Sequence, residues 1–301
     1  MMWRPVQRKT LKFLFVFGAL ASLPSAAHAE PATELLWPEG APGAKGQAEN
    51  DQPKLILYRA AQEAAAPTAV VICPGGGYGH LAMDHEGHQI AAWLNSLGVT
   101  AAICDYRHRG KGYGHPAPLD DAQRAIRTLR HRAADLNVAP NQIGILGFSA
   151  GGHLASTAAT KFDAGQTEAA DPVMQQSSRP DFAVLCYPVI SFTQPCTHTG
   201  SRRNLLGADA TDEQFREFSS ELNVTAKTPP TFLFSTSEDT GVPPENSILF
   251  YQALVKAKVP AELHIFQRGR HGLGLAASVP GTRAWPQLCA SWFEANGWLK
   301  K

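Results

Sequence analysis
The stretch Gly147-Phe148-Ser149-Ala150-Gly151, followed by Gly152 and His153, limits what this chain can fold into more than any other. It fits the pattern G-x-S-x-G, the elbow between strand and helix that lifts a reactive serine above a parallel sheet. The flanks support that reading. Gln142-Ile143-Gly144-Ile145-Leu146 is an apolar, β-branched run of strand length, opened by the turn signal Pro140-Asn141. Ala150 to Ala159 is rich in small residues and compatible with a helix. Small neighbours suit a serine in a tight backbone conformation, which bulky side chains would crowd.

From Leu55 onward, strand-like runs alternate with helical patterns. The strand candidates are 55–58, 69–73, 99–104, 143–148, 182–186, 231–234 and 262–266. Several are apolar throughout, as expected of central parallel strands covered on both faces. Leu119, Ala122, Ile126, Leu129, Ala133 and Leu136 are spaced alternately three and four apart, one apolar stripe on a helix. Arg124, Arg127, Arg130 and Arg132 fall on its other face and read as a solvated surface. The alternation predicts an α/β fold, a doubly wound and mostly parallel sheet with helices on both faces. Its site would lie at the carboxyl ends of the strands.

Residues 1–29 read as a secretory signal peptide. Arg4, Arg8, Lys9 and Lys12 make a basic front, Phe13 to Leu23 an apolar middle, and Ala27-His28-Ala29 an A-x-A cleavage site. The expected location is periplasmic or secreted, with no membrane anchor left after cleavage. Taking those four basic residues from 27 Lys+Arg leaves 23 against 26 Asp+Glu, a net charge near −3. No basic stripe remains, which argues against a nucleic-acid partner. Residues 30–301 carry no linker, repeat or composition shift, so one domain is expected. Of Cys73, Cys104, Cys186, Cys196 and Cys289, the first three sit in apolar strand-like runs. There a thiol behaves as a small buried hydrophobe. An odd count leaves at least one thiol unpaired, and Cys186–Cys196 is the disulfide considered.

Directly after the 69–73 strand comes Pro74-Gly75-Gly76-Gly77-Tyr78-Gly79. Such a loop brings backbone N–H groups close to an anion. It lacks G-K-[ST] and does not open a helix as G-x-G-x-x-G, so nucleotide readings fail. With a serine elbow downstream, an oxyanion hole is the better reading, its donors the N–H groups of Gly76, Gly77 and Ala150. A serine nucleophile needs a base, and the base an orienting acid. Glu238-Asp239 follows the 231–234 strand and His271 follows the 262–266 strand, the order Ser, acid, His. Asp239 is preferred over Glu238 because it lies one residue deeper in the loop. Ser149, Asp239 and His271 are therefore the candidate catalytic residues, and Tyr78 and Phe148 the candidates for substrate contact.

With these residues assembled, the chain resembles an α/β-hydrolase of the secreted esterase and acetylxylan-esterase-like group, related to hormone-sensitive-lipase-type and dienelactone-hydrolase-type enzymes. The resemblance is carried by Leu36 to Gly43, Cys73 to Tyr78, Asp84 to Gly87 and Asp105-Tyr106-Arg107. Further on it is carried by Gly147 to His153, Glu238-Asp239 with Val242-Pro243, and Gly269 to Gly272. Pro74 stands where lipase-like relatives often have His, and Ser149 replaces the cysteine of true dienelactone hydrolases. The resemblance implies hydrolysis of carboxylic esters without a cofactor, often of acetyl groups on plant polysaccharides. The absence of a long apolar lid adds a preference for acetyl over butyryl and little activity beyond about eight carbons. Two other enzyme readings stand beside it. One is a serine peptidase of prolyl-oligopeptidase type, although no propeller precedes the core strands. The other is a metal-dependent deacetylase built on His80, Asp84, His85, Glu86 and His88, whose spacing is not H-E-x-x-H. Residues 191–228, with His198, Arg202, Arg203, Asn204 and the helix-like 212–222, interrupt the sheet rhythm. They read as a small cap insertion that either contacts substrate or is purely structural.

Overall fold
Runs that are apolar at every position become strands buried on both faces. The computed structural model describes residues 1–2, 30–61 and 64–300. Apart from Met1 and Met2, the leader read in residues 1–29 lies outside the described residues. Eight strands form one sheet: β1 (Ala32–Leu35), β2 (Lys54–Tyr58), β3 (Ala69–Cys73), β4 (Thr100–Asp105), β5 (Ile143–Phe148), β6 (Phe182–Cys186), β7 (Thr231–Thr236) and β8 (Ala261–Phe266). Their order is β1-β2-β4-β3-β5-β6-β7-β8. β1 and β2 pair antiparallel, as do β2 and β4, and every other pair is parallel. β1 had no sequence signal. Four residues, two of them polar, are too few to show a period, and pairing with β2 holds them extended.

The helices are α1 (Gln89–Ser96), α2 (Ala117–His131), α3 (Ser149–Thr160), α4 (Thr199–Leu206), α5 (Asp212–Glu217), α6 (Glu245–Lys256) and α7 (Trp285–Ala295). Successive strand residues point to opposite faces. Val71, Ile145, Leu185 and Leu233 pack with Ile126 of α2, Leu154 of α3 and Phe250 of α6. Val70, Ile72, Leu146, Val184 and Phe232 pack on the other face with Leu94 of α1 and Trp292 and Phe293 of α7. This is the doubly wound arrangement expected. The chain leaves β3 for β4 on one side, then crosses to β5 on the other. The crevice where strand order reverses thus opens at the carboxyl ends of β3 and β5.

The arginine face of α2 needs correction. Arg124 and Arg127 are buried, at 5% and 2% exposure. The long connection from α3 to β6 lies over them. Arg124 Nη1 donates to Asp171 and Arg127 Nη2 to Asp163, each at 2.5 Å, and Arg130 Nη2 donates to Asp181 at 2.9 Å. Arg132 pairs with Glu34 of β1. A helix face turned away from the sheet is solvated only where no other segment covers it. The Cys186–Cys196 disulfide is absent as well. All five cysteines are free thiols, four of them buried.

A fully buried ion pair, Arg107–Asp121, explains two of the motif stretches. Asp121 Oδ2 accepts from the Arg107 backbone N–H and Nε, both at 2.9 Å, and Oδ1 accepts from Arg107 Nη2 at 2.8 Å. Asp121 Oδ1 also accepts from Trp37 Nε1 at 2.9 Å, and Arg107 Nη1 donates to Pro42 O at 2.7 Å. The stretches Leu36 to Gly43 and Asp105 to Arg107 are therefore joined to α2 as scaffold.

Candidate active site
At the end of β5 the chain turns abruptly into α3, with Ser149 at φ 54. For a non-glycine residue that left-handed conformation costs on the order of 1–3 kcal/mol and is typical of functional sites. The neighbouring glycines allow it by steric necessity. A Cβ on Gly147 would lie 2.1 Å from Gly151 O, and one on Gly151 2.0 Å from Cys73 O. Ser149 itself is 6% exposed.

The loops after β7 and β8 bring the acid and the base to this serine. Asp239 is buried, and its Oδ1 accepts from the N–H groups of Gly241 and Val242, both at 2.9 Å. That fixes the carboxylate so that Oδ2 meets His271 Nδ1 at 2.6 Å. A carboxylate only accepts, so Nδ1 carries the proton and Nε2 is left bare. Nε2 lies 2.7 Å from Ser149 Oγ and accepts its proton. Glu238, the acid passed over, is exposed and accepts from Gly269 N–H at 2.9 Å, steadying the histidine loop from outside.

The Gly-rich loop after β3 lies against the serine. A Cβ on Gly75 would sit 2.9 Å from Ser149 Cβ. Gly75 N–H donates to Glu86 at 2.9 Å, whereas the amides of Gly76 and Gly77 meet no protein acceptor among the described residues. Both adopt positive φ, 127 and 63. Ala150 N–H belongs to the first turn of α3, where helix amides have no intrahelical acceptor.

Tyr78 and Phe148, the sequence candidates for substrate contact, are both buried side chains. Tyr78 is 1% exposed, and its hydroxyl reaches inward to His153 Nδ1 at 2.8 Å. Phe148 is fully buried on the opposite face of the sheet, between Tyr187 and Trp285. Standing beside a motif does not decide where a side chain points.

The metal cluster suggested by residues 80–88 is dispersed. Glu86 turns inward, His88 Nδ1 bonds Tyr58 Oη at 2.6 Å, and Asp84 accepts from Gln89 at the surface. Among the described residues no three His, Cys, Asp or Glu are gathered as a metal site. The inward turn of Glu86 had no sequence signal. Its Oε2 holds Gly75 N–H, and its Oε1 accepts from Tyr187 Oη at 2.7 Å. Tyr187 Oη in turn accepts from Gly274 N–H at 2.8 Å. The Tyr187 ring stands edge-on to His271, 5.1 Å between centroids. One buried carboxylate thus joins the Gly-rich loop, the loop after β6 and the histidine loop.

His153, in the second turn of α3's small-residue run, plays a similar part on the other side. Nδ1 accepts from Tyr78, Nε2–H donates to Phe218 O at 2.7 Å, and the ring stacks on Phe192 at 4.3 Å. Burial holds its pKa down at about 4, against an ordinary 6.5. The unfolded chain therefore takes up this proton first on acidification. The stability it contributes is complete above pH 6.5 and is lost as pH falls from 6.5 towards 4. By this linkage about 2 kcal/mol should disappear between pH 7 and 5. Thermal midpoints across that range should fall, and fall less steeply in His153→Gln. Parallel slopes in the two proteins would show that another group is responsible.

Residues 191–228 hold α4, α5 and the turn Ser220–Leu222, so the helix-like 212–222 is broken after Glu217. The segment rests on the Gly-rich loop. Asn204 Nδ2 donates to Gly77 O at 2.8 Å, and Arg109 Nε to Asn204 O at 3.0 Å. Next to it, Gln194, Pro195 and Cys196 face Pro243, Ile248 and Leu249 across a groove of about 480 Å³.

The fold is that of an α/β-hydrolase, and its relatives set the chain in the acetylxylan-esterase-like esterase group. The chain belongs to the BD-FAE family, whose profile matches residues 55–254. It is similar to endo-1,4-beta-xylanase B of Butyrivibrio fibrisolvens, 39% identical over 74% of this chain and 35% of that protein. It is also similar to an acetylxylan esterase of Xylanibacter ruminicola, 34% identical over 68% of this chain and 41% of that one. The chain thus spans less than half the length of these two relatives. Among solved structures, an acetyl ester-xyloside bifunctional hydrolase from Caldicellulosiruptor lactoaceticus superposes with a TM-score of 0.85 at 45% identity. It covers 92% of this chain and 100% of its own.

Proposed function
We propose that this protein is a serine carboxylesterase that removes short acyl groups, acetyl foremost, from xylan or its oligosaccharides. The observation that carries the reading is the relay Ser149 Oγ to His271 Nε2 at 2.7 Å and His271 Nδ1 to Asp239 at 2.6 Å. Ser149 Oγ attacks the ester carbonyl while His271 Nε2 takes its proton, and Asp239 stabilises the imidazolium. The carbonyl oxygen, now an anion, is held by the N–H groups of Gly76, Gly77 and Ala150. Collapse expels the alcohol, which leaves with the proton from His271. Water, deprotonated by the same ring, then releases the acid and restores Ser149.

Acetyl preference is supported by the relatives that are acetylxylan and acetyl ester-xyloside hydrolases. It is also supported by the surface. Among the described residues the exposed large apolar side chains are Met1, Met2, Leu35, Leu222, Val255 and Ile265, scattered over separate elements. An enzyme working at an oil interface needs a contiguous apolar patch instead. From the leader read in residues 1–29 we infer that the enzyme acts in the periplasm or outside the cell. A chain-length series of 4-nitrophenyl esters tests the acyl reading. Rates should be highest for acetate, lower for butyrate and slight beyond about eight carbons, with acetate released from acetylated xylan. Rates that climb steadily to long chains would overturn acetyl preference while leaving the serine relay intact.

A further inference from the structure
His198 is the N-cap of α4, with its backbone extended at φ −78 and ψ 94. Its Nδ1 accepts from the backbone N–H of Ser201 at 3.2 Å and lies 2.8 Å from Ser201 Oγ. A ring nitrogen that accepts from a backbone amide carries no proton. Burial, helped by the neighbouring His271, holds the His198 pKa below its usual value, so the ring is neutral at pH 7. The single proton therefore sits on Nε2. Among the described residues no protein acceptor meets that N–H, and the ring is only half-buried.

The cap fixes where this donor stands. His198 Cε1 lies 3.9 Å from the Cβ position of Gly77, and the same helix is tied to Gly77 O by Asn204. The ring also feels the charges of His271 and Asp239. It thus stands beside the Gly-rich loop, which would take the carbonyl oxygen, and within range of the charge on His271, which would protonate the departing alcohol. We propose that His198 is a specificity-determining residue, its Nε2–H donating a hydrogen bond to a hydroxyl or ring oxygen of the ester's alcohol portion. Esters of sugars and other polyols are then favoured over esters of alcohols with no such oxygen. This inference rests on the serine-esterase reading above.

Three proteins test it: the wild type, His198→Asn and His198→Gln. Asn is among the best N-cap residues and keeps an acceptor for Ser201 N–H, but withdraws the donor from the site. Gln is longer and returns an N–H near the Nε2 position. kcat/KM would be measured on acetylated xylobiose and on 4-nitrophenyl acetate, whose aromatic alcohol offers no ring oxygen or second hydroxyl. His198→Asn should lose about tenfold on the acetylated disaccharide, the scale of one hydrogen bond, and less than threefold on the nitrophenyl ester. His198→Gln should recover part of the difference. An equal loss on both acetates would place the ring on the carbonyl oxygen or in the scaffold, and no loss on either would remove it from the site; both overturn the inference. A wild type inactive on both acetates would overturn the esterase reading and this one together.

Discussion

Replacing Ser149 with Ala is expected to lower kcat/KM on 4-nitrophenyl acetate by roughly 10⁴–10⁶-fold, with folding intact. The size follows from how the group is used. In the proposed mechanism Ser149 Oγ is the attacking atom, and His271 Nε2, 2.7 Å away, takes its proton. The proposed oxyanion donors survive the substitution, which should leave a residual rate above that in water. The elbow survives too, because its tightness comes from the contacts of Gly147 and Gly151 with the backbone and not from the hydroxyl. A thermal midpoint within 2–3 °C of the wild type, on the scale of a sub-kcal/mol change, would establish that the loss is chemical. A fluorophosphonate probe should label the wild type and leave the variant unmarked. Turnover within tenfold of the wild type would sink the serine mechanism.

Substituting Asp121 with Ala should produce the largest loss of stability. Both side chains of the Arg107–Asp121 pair are at 0% exposure, and the carboxylate accepts four hydrogen bonds. Removing it strands a buried guanidinium and the Trp37 N–H together. Breaking a buried pair this way costs about 3–5 kcal/mol. For a domain of this size the thermal midpoint should fall by about 6–20 °C. The double variant Arg107→Met with Asp121→Leu should recover much of the loss, because a charge that is absent needs no partner. A midpoint within 2 °C of the wild type in Asp121→Ala would refute the account. So would a double variant less stable than the single one.

How far the sequence could be read depended on whether a residue's neighbours were local. β3 to β7 were legible because residues buried on both faces must be apolar whatever covers them, and the partly buried β2 and β8 were legible as short strand-like runs beside them. The relay was legible because Asp239 and His271 each sit one loop beyond a recognisable strand, and a parallel sheet delivers such loops to one edge. The structure brings these two residues together with Ser149. The arginines of α2 were misread because helical period says which residues turn from the sheet, not that Asp163, Asp171 and Asp181 will lie over them. Phe148 adjoins the serine in sequence, yet strand alternation carries its ring into the core on the far face. Tyr187 gave no signal, and Glu86 was named only in a metal reading, since the partners that fix their roles come from segments distant in sequence.

The meeting of three loops on Glu86 has a consequence for how such a site can vary. Gly75 and Tyr187 are each spaced against one oxygen of the Glu86 carboxylate, and Gly274 is spaced against the Tyr187 hydroxyl that this carboxylate holds. Their positions are therefore a single adjustable quantity. Shortening the acid to Asp would draw the cradle for the carbonyl oxygen and the segment bearing the base toward one centre, or force them to part company. The rim behaves differently, because α4 grips the Gly-rich loop chiefly through the Asn204 contact. Substrate preference can thus drift by rebuilding the rim, residue by residue, while the distance between nucleophile, base and anion cradle is inherited as one piece.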